Sequence, residues 1–171
     1  IKCQKLKGEI IIPSFTWVST ANAILNSGCK PVFADIELNS RNIDPKSIIK
    51  NITKKTVAIL VVHFAGLPCE MQEIVKICKK YKLKLIEDSA ETLGAKYKNK
   101  YTGSFGLGCF SFFPTKNITT TEGGMLTFQD KKLFDKAKKI IAHGIDKDLK
   151  KNFWHRESSL AGHNYRLPNH L

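Results

Sequence analysis

Long apolar runs, paired-cysteine motifs and arginine are all scarce in this sequence of 171 residues. No run approaches the 18 apolar residues that indicate a transmembrane helix. The first residues, IKCQKLKGE, lack the apolar core of a signal peptide and do not begin with Met. These absences predict a protein that does not associate with membranes, and the missing Met suggests that the chain is a fragment.

Cysteine occurs five times, and no two cysteines form a C-x-x-C motif. An odd count without that motif argues against a disulfide framework and against a zinc site. We therefore expect no bound metal, and thiols that stay reduced in a cytoplasmic protein. The five positions are Cys3, Cys29, Cys69, Cys78 and Cys109.

Arginine occurs only at positions 41, 156 and 166, although the net charge is +13 from 28 Lys plus Arg against 15 Asp plus Glu. Base-edge and bidentate phosphate recognition favour arginine over lysine. The lysines are also spread along the chain, as on solvated helix faces. We therefore predict no nucleic-acid partner. A basic nucleic-acid binder is the alternative, and salt-sensitive retention on DNA would support it.

Apolar runs of strand length alternate with helical patterns through the first 90 residues. Near-continuous β-branched runs, such as TVAILVV, suit strands that are buried on both faces. The predicted strands cover 9–12, 31–36, 56–63 and 83–86, and the predicted helices cover 17–26 with Thr16 as N-cap, a segment after the cap Asp44, and 70–81. A hairpin over 95–102, strands at 109–113 and 125–128 and a helix from Asp130 to about 142 follow.

This alternation predicts an α/β fold, with a mostly parallel sheet covered by helices on both faces. Ligands of such sheets bind beyond the carboxyl ends of the strands. Trp17, His63 and Asp88 follow or end predicted strands, so they should lie near one crevice. Asp88 is then either a helix cap or a ligand-facing group, and His63 is either a structural histidine or a functional one.

Lys116 follows a predicted buried strand, with aromatic residues before it and the sequence TTTEGG shortly after it. The simplest interpretation of one lysine in such a basic chain is a surface position. A partly desolvated lysine, however, has a lowered pKa and can form a Schiff base. The glycine pair allows backbone to approach a ligand closely.

At these residues the chain resembles the pyridoxal-phosphate-dependent DegT-type nucleotide-sugar aminotransferases. Five segments match in order and spacing over nearly the whole chain, and the lysine loop is the most specific of them. They are IPSFTWVSTAN at 12–22, VHFAGLP at 62–68, IEDSAE at 86–91, a segment at 103–124 that contains GSFG, FSFFPTKN and EGG, and GHNYRL at 162–167.

The resemblance implies the large-domain fold of fold-type I aminotransferases and a role for each matching residue. Lys116 would condense with the aldehyde of pyridoxal 5'-phosphate, and Asp88 would bind its pyridine nitrogen. Trp17 would stack on the ring and Ser111 would bind the phosphate. Asn164 would reach the phosphate of a neighbouring subunit's cofactor, which implies a homodimer. His63 is expected near the cofactor.

Two positions depart from the family pattern. Glu91 stands where the family often has Gln in contact with the phenolic oxygen of the cofactor, although some members that resemble this chain carry Glu there too. The loop near Gly108 looks one residue shorter than the common pattern, and this difference would shift the register of Ser111.

The resemblance also implies that flanking parts of the family pattern are missing, since neither its N-terminal phosphate loop nor its C-terminal small domain is visible. We therefore expect residues 1–144 to be the central part of the cofactor-binding large domain. Residues 145–171 should be an irregular segment leading toward a missing C-terminal region. Such a piece would be inactive by itself.

The function that the resemblance implies is transamination of a keto sugar linked to a nucleotide diphosphate, with glutamate as amino donor. One alternative is a sugar dehydratase of the same fold, in which His replaces the Schiff-base lysine. The other is a non-catalytic remnant or binding module.

Overall fold

The computed structural model of the protein describes residues 1–146, 154 and 157–167. The chain divides into two compact units, Ile1–Gln129 and Asp130–Leu171. The predicted functional division after residue 144 is not a division into compact units, and it stays a prediction. Within the described residues, no helix has the length and apolar character needed to cross a membrane.

The first unit, every residue of which is described, contains eight strands and three α-helices. Short 3₁₀ turns lie at Lys2–Gln4 and Phe64–Gly66. In chain order the elements are β1 (Glu9–Pro13), α1 (Val18–Leu25), β2 (Lys30–Ala34), α2 (Pro45–Asn51), β3 (Thr56–Val62), α3 (Met71–Tyr81), β4 (Lys84–Asp88), β5 (Lys96–Tyr97), β6 (Lys100–Tyr101), β7 (Leu107–Ser111) and β8 (Gly124–Thr127).

Six of these strands form one sheet in the order β2-β1-β3-β4-β7-β8. All neighbouring pairs are parallel except β7 with β8, which is antiparallel. The predicted mostly parallel sheet is therefore confirmed. The remaining strands, β5 and β6, pair with each other as the predicted hairpin.

The β-branched runs form strands inside the sheet, where both of their faces are covered. On one face, the odd-numbered residues Ile11, Ile59 and Val61 pack in a core cluster with residues of α2 and α3. On the other face, Ile10 and Ile12 belong to a second cluster that includes Ile24 of α1. Side chains alternate between the faces of a strand, so each run supplies both cores.

The start of α2 agrees with the cap predicted from the sequence, and the start of α1 does not. Asp44 caps α2 by accepting a 2.8 Å hydrogen bond from the Lys46 amide, and Pro45 occupies the first turn. The predicted cap Thr16 is wrong, because α1 begins one residue later, with Trp17 at the N-cap position and no side-chain cap. The Thr16 hydroxyl instead lies 2.9 Å from the hydroxyl of Thr20.

The second unit contains helix α4 (Lys131–Ile140), which Asp130 caps as predicted by accepting a hydrogen bond from the Lys132 amide. Two-residue strands β9 (Ile145–Asp146) and β10 (Glu157–Ser158) pair antiparallel, within the segment predicted to be irregular. The prediction of an irregular segment also covers residues 147–153, 155–156 and 168–171, which lie outside the described residues.

Gly108 in β7 lies in a space that admits no side chain. A Cβ atom there would lie 2.5 Å from both Cα and the carbonyl oxygen of Gly103, and it would also collide with the Thr127 hydroxyl. Backbone atoms cannot move away as a flexible side chain can.

Gly108→Ala is expected to lower the free energy of unfolding by about 1–3 kcal/mol, measured by urea denaturation. Lys84→Ala, at an exposed position of β4, should change it little; an unchanged midpoint for Gly108→Ala would contradict the packing.

Candidate active site

A cavity of about 280 Å³ lies at the carboxyl ends of β1, β3 and β4. In a parallel sheet these ends meet at one edge, which is where α/β proteins bind ligands. Of the seven residues predicted to form the site, the structure brings five together here. The lining residues are Phe15, Thr16, Trp17, Val62, His63, Phe64, Asp88, Ala90, Glu91 and Lys116.

Asp88 ends β4 in register with Val62 of β3. One carboxylate oxygen accepts a 3.2 Å hydrogen bond from the Thr20 hydroxyl, and the other accepts one of the same length from the Ala90 amide. Burial raises the pKa of the Asp88 carboxyl, while these two hydrogen bonds and the charge of Lys116 oppose the shift. The site thus holds a carboxylate whose charged form lacks full solvation and would gain from a cationic partner.

Lys116 lies in the loop between β7 and β8, with its side chain about one-fifth exposed. Its Nζ is 3.6 Å from a carboxylate oxygen of Glu91. The other oxygen of Glu91 accepts a 2.8 Å hydrogen bond from the amide of Ala65, in the turn that follows β3. Glu91 therefore connects the lysine loop with that turn, and the amine lines the same cavity as the Asp88 carboxylate.

Three aromatic side chains, those of Phe15, Trp17 and Phe64, line the cavity. The rings of Phe15 and Phe64 lie 5.0 Å apart in a tilted contact. Trp17 is 78% exposed. Such exposure is unusual for a tryptophan and leaves a large planar surface available to a ligand.

His63 also lines the cavity, but both of its ring nitrogens already have partners within the protein. Nδ1 accepts a 3.1 Å hydrogen bond from the Cys69 amide, and Nε2 lies 3.2 Å from a carboxylate oxygen of Glu87. His63 is 1% exposed. The structure therefore places this residue against the cavity without leaving a ring nitrogen for a ligand.

Glu87 is a residue of the site region that the sequence analysis did not single out. It is completely buried, its carboxylate accepts hydrogen bonds from three backbone amides, and one of its oxygens lies 3.2 Å from Nε2 of His63. Its position in the strand KLIED offered a signal, because the alternation of β4 places Glu87 on the same face as Leu85. A carboxylate at an inward-facing position of a buried strand needs partners.

Ser111 ends β7 and lies outside the main cavity. With Ser89, Glu91 and Lys116 it lines a neighbouring pocket of about 10 Å³, which is the space of about one water molecule. The Ser111 hydroxyl oxygen lies 3.3 Å from the Phe113 amide and accepts its hydrogen bond. No residue in the described part of the chain forms a hydrogen bond with the buried hydroxyl of Ser89.

Asn164 belongs to the second unit, where it forms an isolated bridge with Ala142. Its side-chain oxygen accepts a 2.9 Å hydrogen bond from Nε of Arg166. Among the residues that the structure describes, no group of three or more His, Cys, Asp or Glu side chains is arranged to hold a metal ion.

Comparison with known proteins identifies relatives over nearly the whole chain. The model of the DegT/DnrJ/EryC1/StrS aminotransferase family matches residues 2–171. The chain is 41% identical to GDP-perosamine synthase of Escherichia coli O157:H7 over 162 residues, which are 94% of this chain and 43% of the relative. It is 43% identical to the UDP-4-amino-4,6-dideoxy-N-acetyl-beta-L-altrosamine transaminase of Helicobacter pylori, with 94% and 42% covered.

A solved structure of an aminotransferase from Psychrobacter cryohalolentis matches with a TM-score of 0.92 and 34% identity, covering 97% of this chain and 44% of the other. The fold is therefore that of the large domain of fold-type I aminotransferases, as the resemblance implies. The chain spans less than half the length of each of these three relatives.

Proposed function

Because this chain belongs to the DegT/DnrJ/EryC1/StrS aminotransferase family, we propose that it is the central part of an enzyme that aminates a keto group on a nucleotide-linked hexose. The amino donor in this proposal is glutamate. The observation that carries it is that the Lys116 amine and the Asp88 carboxylate line the same cavity at the strand ends. The names of the two relatives, a GDP-sugar synthase and a UDP-sugar transaminase, support the substrate class.

The cofactor of this family is pyridoxal 5'-phosphate, and the donor set of the cavity suits it. That cofactor requires an amine for its aldehyde, an anion for its pyridine nitrogen and groups that hold its ring and phosphate. Lys116 and Asp88 would supply the first two, and the exposed indole of Trp17 would cover the ring. Ser111 would donate to the phosphate. When bound, the cofactor supplies an aldehyde that captures amines and a ring that accepts electrons.

Lys116 has two functions in the proposed reaction. Its Nζ would hold the cofactor between turnovers. When it is free, the same amine would accept a proton from the α-carbon of the amino donor as general base and would later return that proton as general acid. Its partial burial supports this, because a side chain held in one place within reach of the cavity needs little reorganisation.

Asp88 would keep the pyridine nitrogen protonated. A carboxylate that is incompletely solvated by water gains more from a cationic partner than an exposed one does. The hydrogen bonds from Thr20 and Ala90 hold both of its oxygens at fixed positions. The ring nitrogen would thus meet a pre-oriented charge rather than a mobile side chain.

Glu91 would replace the Gln that the family often carries near the phenolic oxygen of the cofactor. Its contact with Lys116 Nζ supports a position beside the reacting amine. We also propose a homodimer in which Asn164 binds the phosphate of the neighbouring subunit's cofactor, and a cytoplasmic enzyme. His63 would contact the cofactor with its ring rather than through a hydrogen bond.

The test uses the full-length protein that contains this chain, purified with pyridoxal phosphate. The expected result is a visible absorption band that glutamate bleaches, with release of 2-oxoglutarate, and sustained turnover once a nucleotide-linked keto hexose is added. A dehydratase would instead consume the sugar without consuming glutamate. Absence of any cofactor band from a folded, dimeric preparation would exclude the transaminase and favour a binding module.

A further inference from the structure

Glu87 lies beneath the cavity and joins separate parts of the chain through one carboxylate. One oxygen accepts hydrogen bonds from the amides of Phe105 at 2.8 Å and Gly106 at 2.7 Å. The other accepts the amide of Gly103 at 2.8 Å and faces Nε2 of His63 at 3.2 Å. An ionised carboxylate only accepts hydrogen bonds, so it suits a position that faces three backbone amide donors.

These contacts determine which nitrogen of His63 carries hydrogen. The Cys69 amide is a donor, so Nδ1 must present a lone pair to it. The Glu87 carboxylate is an acceptor, so Nε2 must present a hydrogen. Only the neutral ring with hydrogen on Nε2 satisfies both partners.

Two of the segments that Glu87 connects border the cavity, and the third leads to the neighbouring pocket that Ser111 lines. His63 follows β3 and lines the cavity directly. Asp88 is the next residue of β4, with its side chain on the opposite face from that of Glu87. The segment from Gly103 to Gly106 leads into β7, which ends at Ser111. A change at Glu87 would thus reach three parts of the site at once.

We propose that Glu87 is a positioning residue for the cofactor, and that it acts through a neutral His63 held as the Nε2–H tautomer. This inference rests on the proposed function for its ligand, while the tautomer rests on the hydrogen bonds alone. His63 serves as a fixed wall of the cavity and carries no proton in the reaction. Glu87 keeps that wall, the Asp88 strand end and the start of β7 in register.

The tautomer is measured by nitrogen-15 NMR of the histidines in the full-length protein, with His63 assigned from the missing signals of a His63→Gln variant. The expected spectrum at neutral pH shows a neutral ring protonated at Nε2. A ring protonated at Nδ1, or at both nitrogens, would overturn the proposal. This measurement does not depend on whether the protein binds pyridoxal phosphate.

The positioning role is measured by the dissociation constant of pyridoxal phosphate in Glu87→Gln. The amide places an NH₂ group against at least one of the N–H donors, whichever way it is turned. We expect roughly a tenfold or greater loss of affinity and an altered visible band, by analogy with groups that orient ligand-contacting residues. Glu73→Gln, on the exposed face of α3, is the matched control and should bind as the wild type does.

Two His63 variants keep the proposal testable if Glu87→Gln fails to fold. Gln at position 63 can still accept from one neighbour and donate to the other, whereas Leu can do neither. Both variants lack the ring that lines the cavity, but only Gln preserves the two hydrogen bonds, so His63→Gln should lose clearly less cofactor affinity than His63→Leu does. Loss of turnover in a His63→Gln protein that binds the cofactor normally would show a proton-transfer role and overturn the proposal. Wild-type affinity in folded Glu87→Gln or His63→Leu would also overturn it.

If neither the wild type nor any variant binds pyridoxal phosphate, the proposed function fails. The positioning role for that ligand then fails with it, whereas the tautomer result still decides the arrangement of His63 and Glu87.

Discussion

The Lys116→Ala variant is expected to lose transamination by about 10,000-fold or more, since it removes both the covalent attachment and a general acid–base worth about 10²- to 10⁴-fold. The residual cavity keeps the Asp88 carboxylate and the Trp17 indole, so pyridoxal phosphate should still bind reversibly. The measurements are 2-oxoglutarate release with the full-length enzyme and the protein mass after borohydride reduction, which should show no added cofactor.

Two controls separate the chemistry of this amine from its charge. Lys116→Arg keeps a cation beside Glu91 but cannot condense with an aldehyde, so it should be as inactive as Lys116→Ala. Lys54→Ala removes an exposed lysine before β3 and should leave both measurements unchanged. If Lys116→Ala still incorporates one cofactor per chain after reduction, another lysine forms the bond and the assignment is wrong.

The Asp88→Asn variant is expected to lower turnover by roughly 100- to 1,000-fold while some cofactor remains bound. Removing one partner of a partly buried charge pair costs about 3–4 kcal/mol, and each 1.36 kcal/mol corresponds to a factor of ten. The neutral amide still accepts a hydrogen bond from Ala90, and the Thr20 hydroxyl can rotate to accept one from the new NH₂ group. The loss should therefore be electrostatic rather than structural.

Although Asp88→Asn should lower turnover, it should raise the stability of the cofactor-free protein. Burial raises the pKa of Asp88, so the folded state binds a proton more tightly than the unfolded state does. Between the ordinary and the raised pKa, the folded state holds more protons, and its stability falls as the pH rises. Asp88→Asn does not ionise and should have the higher melting temperature at neutral pH, with a smaller fall on going from acidic to neutral pH.

A melting temperature that is lower for Asp88→Asn than for the wild type at neutral pH would contradict the burial argument. Asp135→Asn on the exposed face of α4 is the matched control, and it should change neither turnover nor the pH dependence. Wild-type turnover in Asp88→Asn would contradict the assigned role of the carboxylate.

Much of the fold could be predicted because its signals are local. The runs IIIP and TVAILVV carry β-branched residues over the length of a strand, and their double burial follows from a position inside the sheet. Asp44 followed by Pro45 marks a helix start through contacts within three residues. Thr16 failed as a cap because its hydroxyl has a competing partner, Thr20, which in turn donates to Asp88.

The site could be predicted only in part, because only some of its residues lie in short segments that carry a local signal. Asp88 and Lys116 are recognisable from the short segments around them, and the parallel topology implies that the strand ends meet. Glu87 escaped notice because its partners, from His63 to Gly106, are 16 to 24 positions away in the chain. Nothing in the neighbouring sequence shows that three backbone amide donors converge on that carboxylate.

The sequence by itself determined the order of strands and helices, the parallel sheet and the motifs that place the chain in its family, because periodicity, caps and short motifs act over a few residues. Only the tertiary structure decided which ionisable groups lose water and which donors surround them. It leaves the Asp88 carboxylate incompletely solvated beside the cavity, encloses that of Glu87 and assigns the hydrogen of His63 to Nε2. The physical reason is that solvation and hydrogen-bond partners depend on segments that are distant in the chain and meet only when the sheet has formed.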